Sequence, residues 1–442
     1  MRSRSTAAGR SAAVAELGLG LGLGLGLVSE DAPHSCRVAV LLLPCVLALA
    51  ACPSNRQGPA DAGPSADAGT DSAVTDAAAL TDAGAGPIVF HCAADATCPE
   101  LVIEGDPIAM LGAAPAPFRG YGDPSLELDP ATGTLWLSYS WLDTIVVSPG
   151  PPPVVHLAVR THLARSDDSG RTFRFVSALN EATRESSSTV PGQTGYLIHE
   201  VSTIARRPDA GWVGMWLDYF DPDGAERYGF ELVRSTGTGA ERLGDSPAPW
   251  IRGSFPPFAP APYDLRGVVP GSTCLSLTEP ALFADASGTY LAANCFTGTS
   301  ANDTLVLLRE RADGYDYVGT LLDGTDAGAL GGDRVEQADI SLTGDGRILL
   351  LVTPIRDTAD PMHQGCIALE IDDLSRAHVA READGALREL AVITSDGNGL
   401  GPGLCTYDAS SETGVLLVQT DIDLASTPVK LLFSMRATGV RL

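Results

Sequence analysis

The stretch "ARSDDSGRTFRF", Ala164 to Phe175, gathers serine, two aspartates and three arginines within twelve residues. Taken alone it resembles a reactive cluster. Two other segments change that reading: "HLARSDDSGRTFRF", "ELVRSTGTGAERL" and "VLLRERADGYDYV" align without gaps. Arg165, Arg234 and Arg309 then fall in one column, and Gly170, Gly239 and Gly314 in another. A segment that recurs is part of a structural repeat before it is a site. Its chemistry suits a turn, because an aspartate accepts hydrogen bonds from turn amides, glycine takes positive φ, and the phenylalanine packs beneath.

Working outward, five further segments share an apolar strand, a turn rich in Asp, Ser and Gly, and a second strand of branched and aromatic residues. They run Gly122 to Trp141, Glu200 to Phe220, Thr278 to Phe296, Glu336 to Ile355 and Leu404 to Ile422. Each reads as a β-hairpin. Their turn glycines, Gly133, Gly211, Gly288, Gly346 and Gly414, lie 58 to 78 residues apart, about one four-stranded sheet with its loops. No heptads or βαβ units compete with this pattern.

"SDDSGRTF" resembles the Asp-box turn of sialidases and other bacterial-neuraminidase-repeat proteins, with Ser166, Asp168, Gly170, Thr172 and Phe173 at its defining places. The resemblance implies an all-β fold, a single β-propeller of four-stranded antiparallel sheets, with five blades preferred and six the alternative. It also implies that this turn joins third and fourth strands on the side away from the active site, so its role is architectural. Sialidase chemistry is not implied, because Gly122 stands where the family's first arginine belongs and Arg119 is out of register.

The N-terminus gives a cellular address. Val38 to Ala51 is an apolar run behind Arg37, too short for a comfortable membrane span and ending in small residues, the layout of an export signal. It closes in "LAAC", which resembles a bacterial lipobox and implies lipidation of Cys52 and a lipid-anchored protein of the cell envelope, at the outer membrane or cell surface. Residues 1–52 thus read as a low-complexity leader with a signal peptide. Residues 53–87, rich in Asp, Ala, Gly and Pro without an aromatic residue, read as a disordered tether, and 88–442 as the propeller domain.

Six cysteines follow Cys52, an even number that suits disulfides in an exported chain. Proximity favours Cys92 with Cys98 and Cys274 with Cys295, leaving Cys366 with Cys405. No pair has the short spacing of a structural zinc site, and no metal is assigned. The formal charge of -26, with Lys430 the only lysine, excludes a nucleic-acid partner.

Counting back nine to eleven residues from the hairpin glycines gives Asp123, Glu200, Glu279 and Glu336 in four successive repeats. The fifth has Leu404 and Cys405 there instead. First strands of a propeller line its axis, so these carboxylates are expected at one mouth, where crowding divides them into acid and base. The pattern looks like the five-bladed arabinanase and invertase families. That likeness implies Asp123 as base or nucleophile, Glu200 as a modulator and Glu279 as general acid. Tyr121, Trp141, Trp216 and Tyr219 either stack on sugar rings or fill space between blades.

The sequence therefore favours an exported, monomeric binding or scaffolding module with a carbohydrate or protein ligand. A glycoside hydrolase with axial carboxylates is the alternative. No cofactor is implied, and a central cation held by the same acids is a further option.

Overall fold

The computed structural model describes residues 86–93, 98–107, 118–148, 154–187, 189–225, 227–254, 261–423 and 430–442. Cys52, the leader and nearly all of the tether lie outside them. The described chain is nearly all β. Two N-terminal strands, β1 (Ile88–Cys92) and β2 (Ile103–Glu104), precede the first repeat. That repeat is β3 (Phe118–Asp129), β4 (Thr134–Leu142), a two-stranded hairpin of β5 (Thr144–Ser148) and β6 (Val154–Leu157), β7 (Arg160–Ser166) and β8 (Phe173–Ala178). The second is β9 (Thr183–Ser186), β10 (Thr194–Arg206), β11 (Trp212–Pro222), β12 (Tyr228–Gly237), β13 (Ala248–Arg252) and β14 (Tyr263–Asp264). The third is β15 (Ser276–Asp285), β16 (Gly288–Phe296), β17 (Thr304–Arg311) and β18 (Gly314–Leu322). The fourth is β19 (Arg334–Leu342), β20 (Ile348–Ile355), β21 (Cys366–Asp373), β22 (His378–Val379) and β23 (Glu389–Ser395). The last is β24 (Gly403–Thr406), β25 (Leu416–Asp423) and β26 (Lys430–Ala437).

All five hairpins read from the sequence are antiparallel first and second strands: β3/β4, β10/β11, β15/β16, β19/β20 and β24/β25. The first strands pack on one another in sequence, and β24 packs back against β3. Polar side chains stitch neighbouring first strands together. Thr203 Oγ1 accepts from Leu282 N at 2.9 Å and lies 3.4 Å from Ser125 Oγ, while Thr406 Oγ1 accepts from Leu126 N at 3.0 Å and donates to Asp339 at 2.7 Å. Hydroxyls placed this way satisfy amides that the strand ladders leave over. Between repeats the core is aliphatic and aromatic, with Leu137, Met215, Leu217, Leu291, Leu308 and Leu350 fully enclosed.

The expectation of purely antiparallel four-stranded sheets holds for the third repeat; the second and fourth belong to six-stranded sheets with parallel β13/β14 and β1/β23 pairs, and the first and last depart from it at a shared seam. β26 pairs with β3 in parallel, which joins the last repeat to the first in one eight-stranded sheet. The last repeat has three strands of its own. The N-terminal segment completes it, with Leu101 N donating to Met435 O at 2.8 Å and Ala437 N to Pro99 O at 3.0 Å. On either side of that contact, β1 adds to β23 and β2 to β8, both in parallel. One short segment thus straps the outer edges of the fourth, fifth and first repeats, covering strand edges that would otherwise be open. Three disulfides form among the described residues: Cys92–Cys98 within the strap, Cys274–Cys295 at the β15/β16 hairpin, and Cys366–Cys405 between the fourth and fifth repeats.

The opening stretch forms the turn from β7 to β8, third to fourth strand of its repeat. Asp168 Oδ1 accepts from Thr172 N at 2.9 Å and from Ser166 Oγ at 2.7 Å, and Thr172 Oγ1 donates to Oδ2 at 2.8 Å. These donors, the Thr172 amide foremost, hold the Asp168 carboxyl at about 2. Ser166 Oγ accepts from Gly170 N at 2.8 Å, and Phe173 is fully buried. Gly170 has φ of 86°, and a Cβ there would lie 2.5 Å from Ser411 Oγ, so both backbone and space call for glycine. Both oxygens of Asp168 are committed to the turn itself, and Asp167 Oδ1 accepts from Thr134 Oγ1 on β4 at 3.1 Å, so the bonds of this turn are architectural.

Candidate functional site

Each first strand carries a register shift near its start: Gly122/Ser125, Glu200/Thr203, Thr278/Ala281, Val335/Ala338 and Gly403/Cys405. These bulges re-aim side chains at one end of the repeat. Asp123, Val201, Glu279 and Leu404 sit in them with φ of 49° to 54°, a region that non-glycine residues avoid. Asp123 and Glu279 are each followed by proline, which has no amide to leave unpaired in the bulge. Glu336 occupies the fourth bulge. Glu200 is one residue ahead of its expected place, with Val201 in the equivalent position.

The four carboxyls nonetheless share one electrostatic neighbourhood, and they differ in proton affinity. Burial raises Asp123 to about 6, with Glu336 adding to the rise and hydrogen bonds from Ser140 and the Val201 amide opposing it. Burial, then the Asp123 charge, raises Glu200 to about 8, against the Arg227 charge and a hydrogen bond from Tyr219 Oη at 3.2 Å. Glu279 is pushed well above the ordinary glutamate range by burial and then by the charges of Glu336, Asp123 and Glu200. Burial pushes Glu336 upward too, yet the Arg334 charge and His363 outweigh it and hold its carboxyl at about 2. His363 Nε2 lies 3.0 Å from Glu336 Oε2, and Arg334 Nη1 lies 3.4 Å from Oε1. The bulges of the first strands thus hold an ionised group, an intermediate one and two that keep their protons, the division acid–base chemistry requires.

The four aromatic residues considered for sugar stacking are core residues. Tyr121 is 5%, Trp141 4%, Trp216 1% and Tyr219 0% exposed, so they fill space between strands, and Tyr219 serves the site through its hydroxyl. His162 is buried against Asp106, which also accepts from Tyr139, and His199 pairs with Asp218 at 2.5 Å. Among the described residues, no three His, Cys, Asp or Glu side chains converge as a metal-ligand set.

Arg334, His363 and Arg227 were missed by sequence reasoning. Arg334 lies two residues before Glu336 on the same strand, a spacing that places both on one face, and this was the one available signal. His363 and Arg227 come from loops after second strands, the fourth and second repeats respectively, and nothing local marks them.

Farther along the first strands, past the bulges, lie Glu127 on β3 and Asp339 on β19. Burial raises Glu127 to about 8, helped by the Asp408 and Asp339 charges, and raises Asp339 to about 7. A carboxyl raised in the fold binds more protons folded than unfolded, so its contribution to stability falls as pH climbs from the unfolded value through the folded one. For Glu127 that window runs from about 4.5 to about 8. Glu127→Gln keeps an acceptor for Arg206 N, which donates to Oε1 at 3.1 Å. The variant is expected to be more stable than the parent by about 1–2 kcal/mol at pH 8, with the difference shrinking toward pH 5, in thermal melts across that range.

No family model matches the chain, and no curated protein matches it. Solved structures similar to it include an α-L-arabinanase from Penicillium chrysogenum complexed with arabinobiose, at 13% identity over 73% of this chain and 94% of that one, with a TM-score of 0.39. A GH43 endo-arabinanase from Bacillus licheniformis is 14% identical over 71% and 93%, TM-score 0.36. A Hadza microbial sialidase is 14% identical over 68% of this chain and 50% of that one, TM-score 0.34.

Proposed function

We propose that the chain is a five-bladed β-propeller glycoside hydrolase, closed by the parallel β3/β26 seam, with Asp123 as base or nucleophile and Glu279 as general acid. The observation that carries this reading is the shared bulge, which presents Asp123, Glu279 and Glu336 from three repeats at one end with unequal proton affinities. Hydrolysis of a glycosidic bond needs one carboxyl to protonate the leaving oxygen and an ionised one to attack or to activate water. At neutral pH Asp123 is largely ionised, while burial and then the charges of Glu336, Asp123 and Glu200 push Glu279 well above the ordinary glutamate range. The test is sugar release from arabinan, xylan, mannan and fructan by the purified protein, with Glu279→Gln as control. Release that the substitution abolishes supports the assignment. No release from any of them, alongside binding of one, favours the module without catalysis.

The address is a separate proposal. The leader layout and three disulfides support an exported protein held at the cell envelope by lipid on Cys52. Cys52→Ser is expected to move the protein from the membrane pellet to the soluble exported fraction. Retention in the pellet would contradict the anchor.

A further inference from the structure

Among the described residues, the β5/β6 hairpin is a two-stranded sheet that pairs with no other strand of the fold. It leaves the first repeat at the bulge. The end of β4 pairs Ser140 with Gly122, Trp141 with Tyr121 and Leu142 with Gly120, the residues just before Asp123, and β5 starts at Thr144. At the foot of the hairpin Ala158 N donates to Asp143 O at 2.9 Å.

His156 on β6 carries the hairpin across to the second repeat. Its Nδ1 lies 3.0 Å from Asp221 Oδ2 and its Nε2 3.0 Å from Asp223 Oδ1, and the residue is 6% exposed. Arginines keep both carboxyls ionised: Arg227 Nε donates to Asp221 Oδ1 at 3.2 Å, and Arg184 donates to both oxygens of Asp223. A neutral imidazole would turn its lone pair on one of these carboxylates. Two acceptors at this distance require a donor at each nitrogen, which only the imidazolium has.

The second-repeat side of this contact also lies at the bulge. Asp221 pairs with Tyr196, four residues before Glu200 on β10. The Arg227 guanidinium lies 5.2 Å from the Tyr219 ring centroid, and Tyr219 Oη donates to Glu200 Oε2 at 3.2 Å. The latch and Glu200 are thus joined by direct contacts.

We propose that the β5/β6 hairpin is a flap beside the bulge carboxyls, latched to the second repeat by the doubly protonated ring of His156 and released when that ring loses a proton. It holds whether or not the chain hydrolyses glycosides. The charged and titratable groups around the ring are Asp221 of β11, Asp223 and Arg227 of the turn to β12, Arg184 of β9, and Tyr196 of β10, whose ring centroid is 5.2 Å away. The Asp221 bond foremost, against burial, raises His156 above its ordinary 6.5. Burial pushes Asp221 upward, yet the His156 bond and the Arg227 charge outweigh it, and the Arg184 bond foremost lowers Asp223. A group raised in the latched state gives its full contribution below the free value and loses it as pH climbs through the latched one, so the flap opens on the alkaline side.

The test is hydrogen exchange at residues 144–157 of the full chain from about pH 5 to about pH 10, expressed as protection over the intrinsic rate. Nitrogen NMR of labelled histidine rings accompanies it, the His156 signal being the one absent from His156→Gln. The parent is expected to show two ring N–H groups at about pH 6, and hairpin protection that falls about tenfold for each pH unit between about 6.5 and the latched midpoint. His156→Gln is expected to show low protection without a pH step. Asp223→Asn should move the His156 midpoint and the loss of protection together to lower pH, by about one unit, because an opposite charge is removed. Amides of β16 and β17 serve as the reference and should be unchanged in both variants. A His156 ring with one N–H at about pH 6, hairpin protection that stays constant while His156 titrates, or a pH step that survives in His156→Gln overturns the proposal.

Discussion

Glu279→Gln is expected to lower hydrolysis of unactivated glycosides by about 10²- to 10⁴-fold, the contribution of a positioned general acid. The glutamine keeps the shape of the bulge, where Glu279 has φ of 52° and precedes Pro280, but has no proton to give to the leaving oxygen. Substrates with an acidic phenol as leaving group need little protonation, so dinitrophenyl glycosides should lose far less rate. The alkaline limb of the parent's rate profile should vanish with the acid. Asp123→Asn is expected to behave differently, losing rate by a similar factor whatever the leaving group, because attack itself is impaired. The pair of profiles separates the two roles. Equal losses on both substrate types in Glu279→Gln would remove its assignment as acid.

The second large effect is on stability. Replacing Cys366 and Cys405 together by alanine is expected to cost about 4 kcal/mol, since their bridge closes a loop of some 40 residues and chain entropy grows with loop length. The bridge also ties β21 of the fourth repeat to β24 of the fifth, beside the strap that completes the fifth repeat's outer edge. The loss should show as a fall in denaturant midpoint with an unchanged slope. Replacing Cys92 and Cys98 should cost less, because that loop spans six residues and the strap has β1/β23 and β2/β8 pairing besides. A larger loss from the short loop would show that the strap, and not the fourth-to-fifth link, holds the fifth repeat in place.

What the sequence made legible is what repeats locally. Turn glycines such as Gly133 and Gly346, flanked by strands of branched residues, marked all five hairpins, because a turn and its strands are neighbours in the chain. The cysteine pairs were legible for the same reason, two by proximity and the third by remainder. The seam was not, since pairing β26 with β3 joins residues more than 300 positions apart and no local pattern encodes it. Glu200 was displaced by one because counting from hairpin glycines assumes equal bulges, and hairpin lengths differ among the repeats. Trp141 and Trp216 look alike whether buried or exposed, and their burial depends on which repeat packs above them. His363 escaped notice because its partner lies on another strand, and the space it occupies is created by a glycine in the next repeat.

On the proposed reading, the carboxyls of the first-strand bulges are divided into proton holders and charge holders. The most direct measurement is the carboxyl titration of the parent protein, with Asp and Glu carboxyl carbons labelled. Glu336 is expected to titrate at about 2, Asp123 at about 6, Glu200 at about 8 and Glu279 well above the ordinary glutamate range. Four carboxyls titrating together between about 3.5 and 4.5, the ordinary values for aspartate and glutamate, would contradict it.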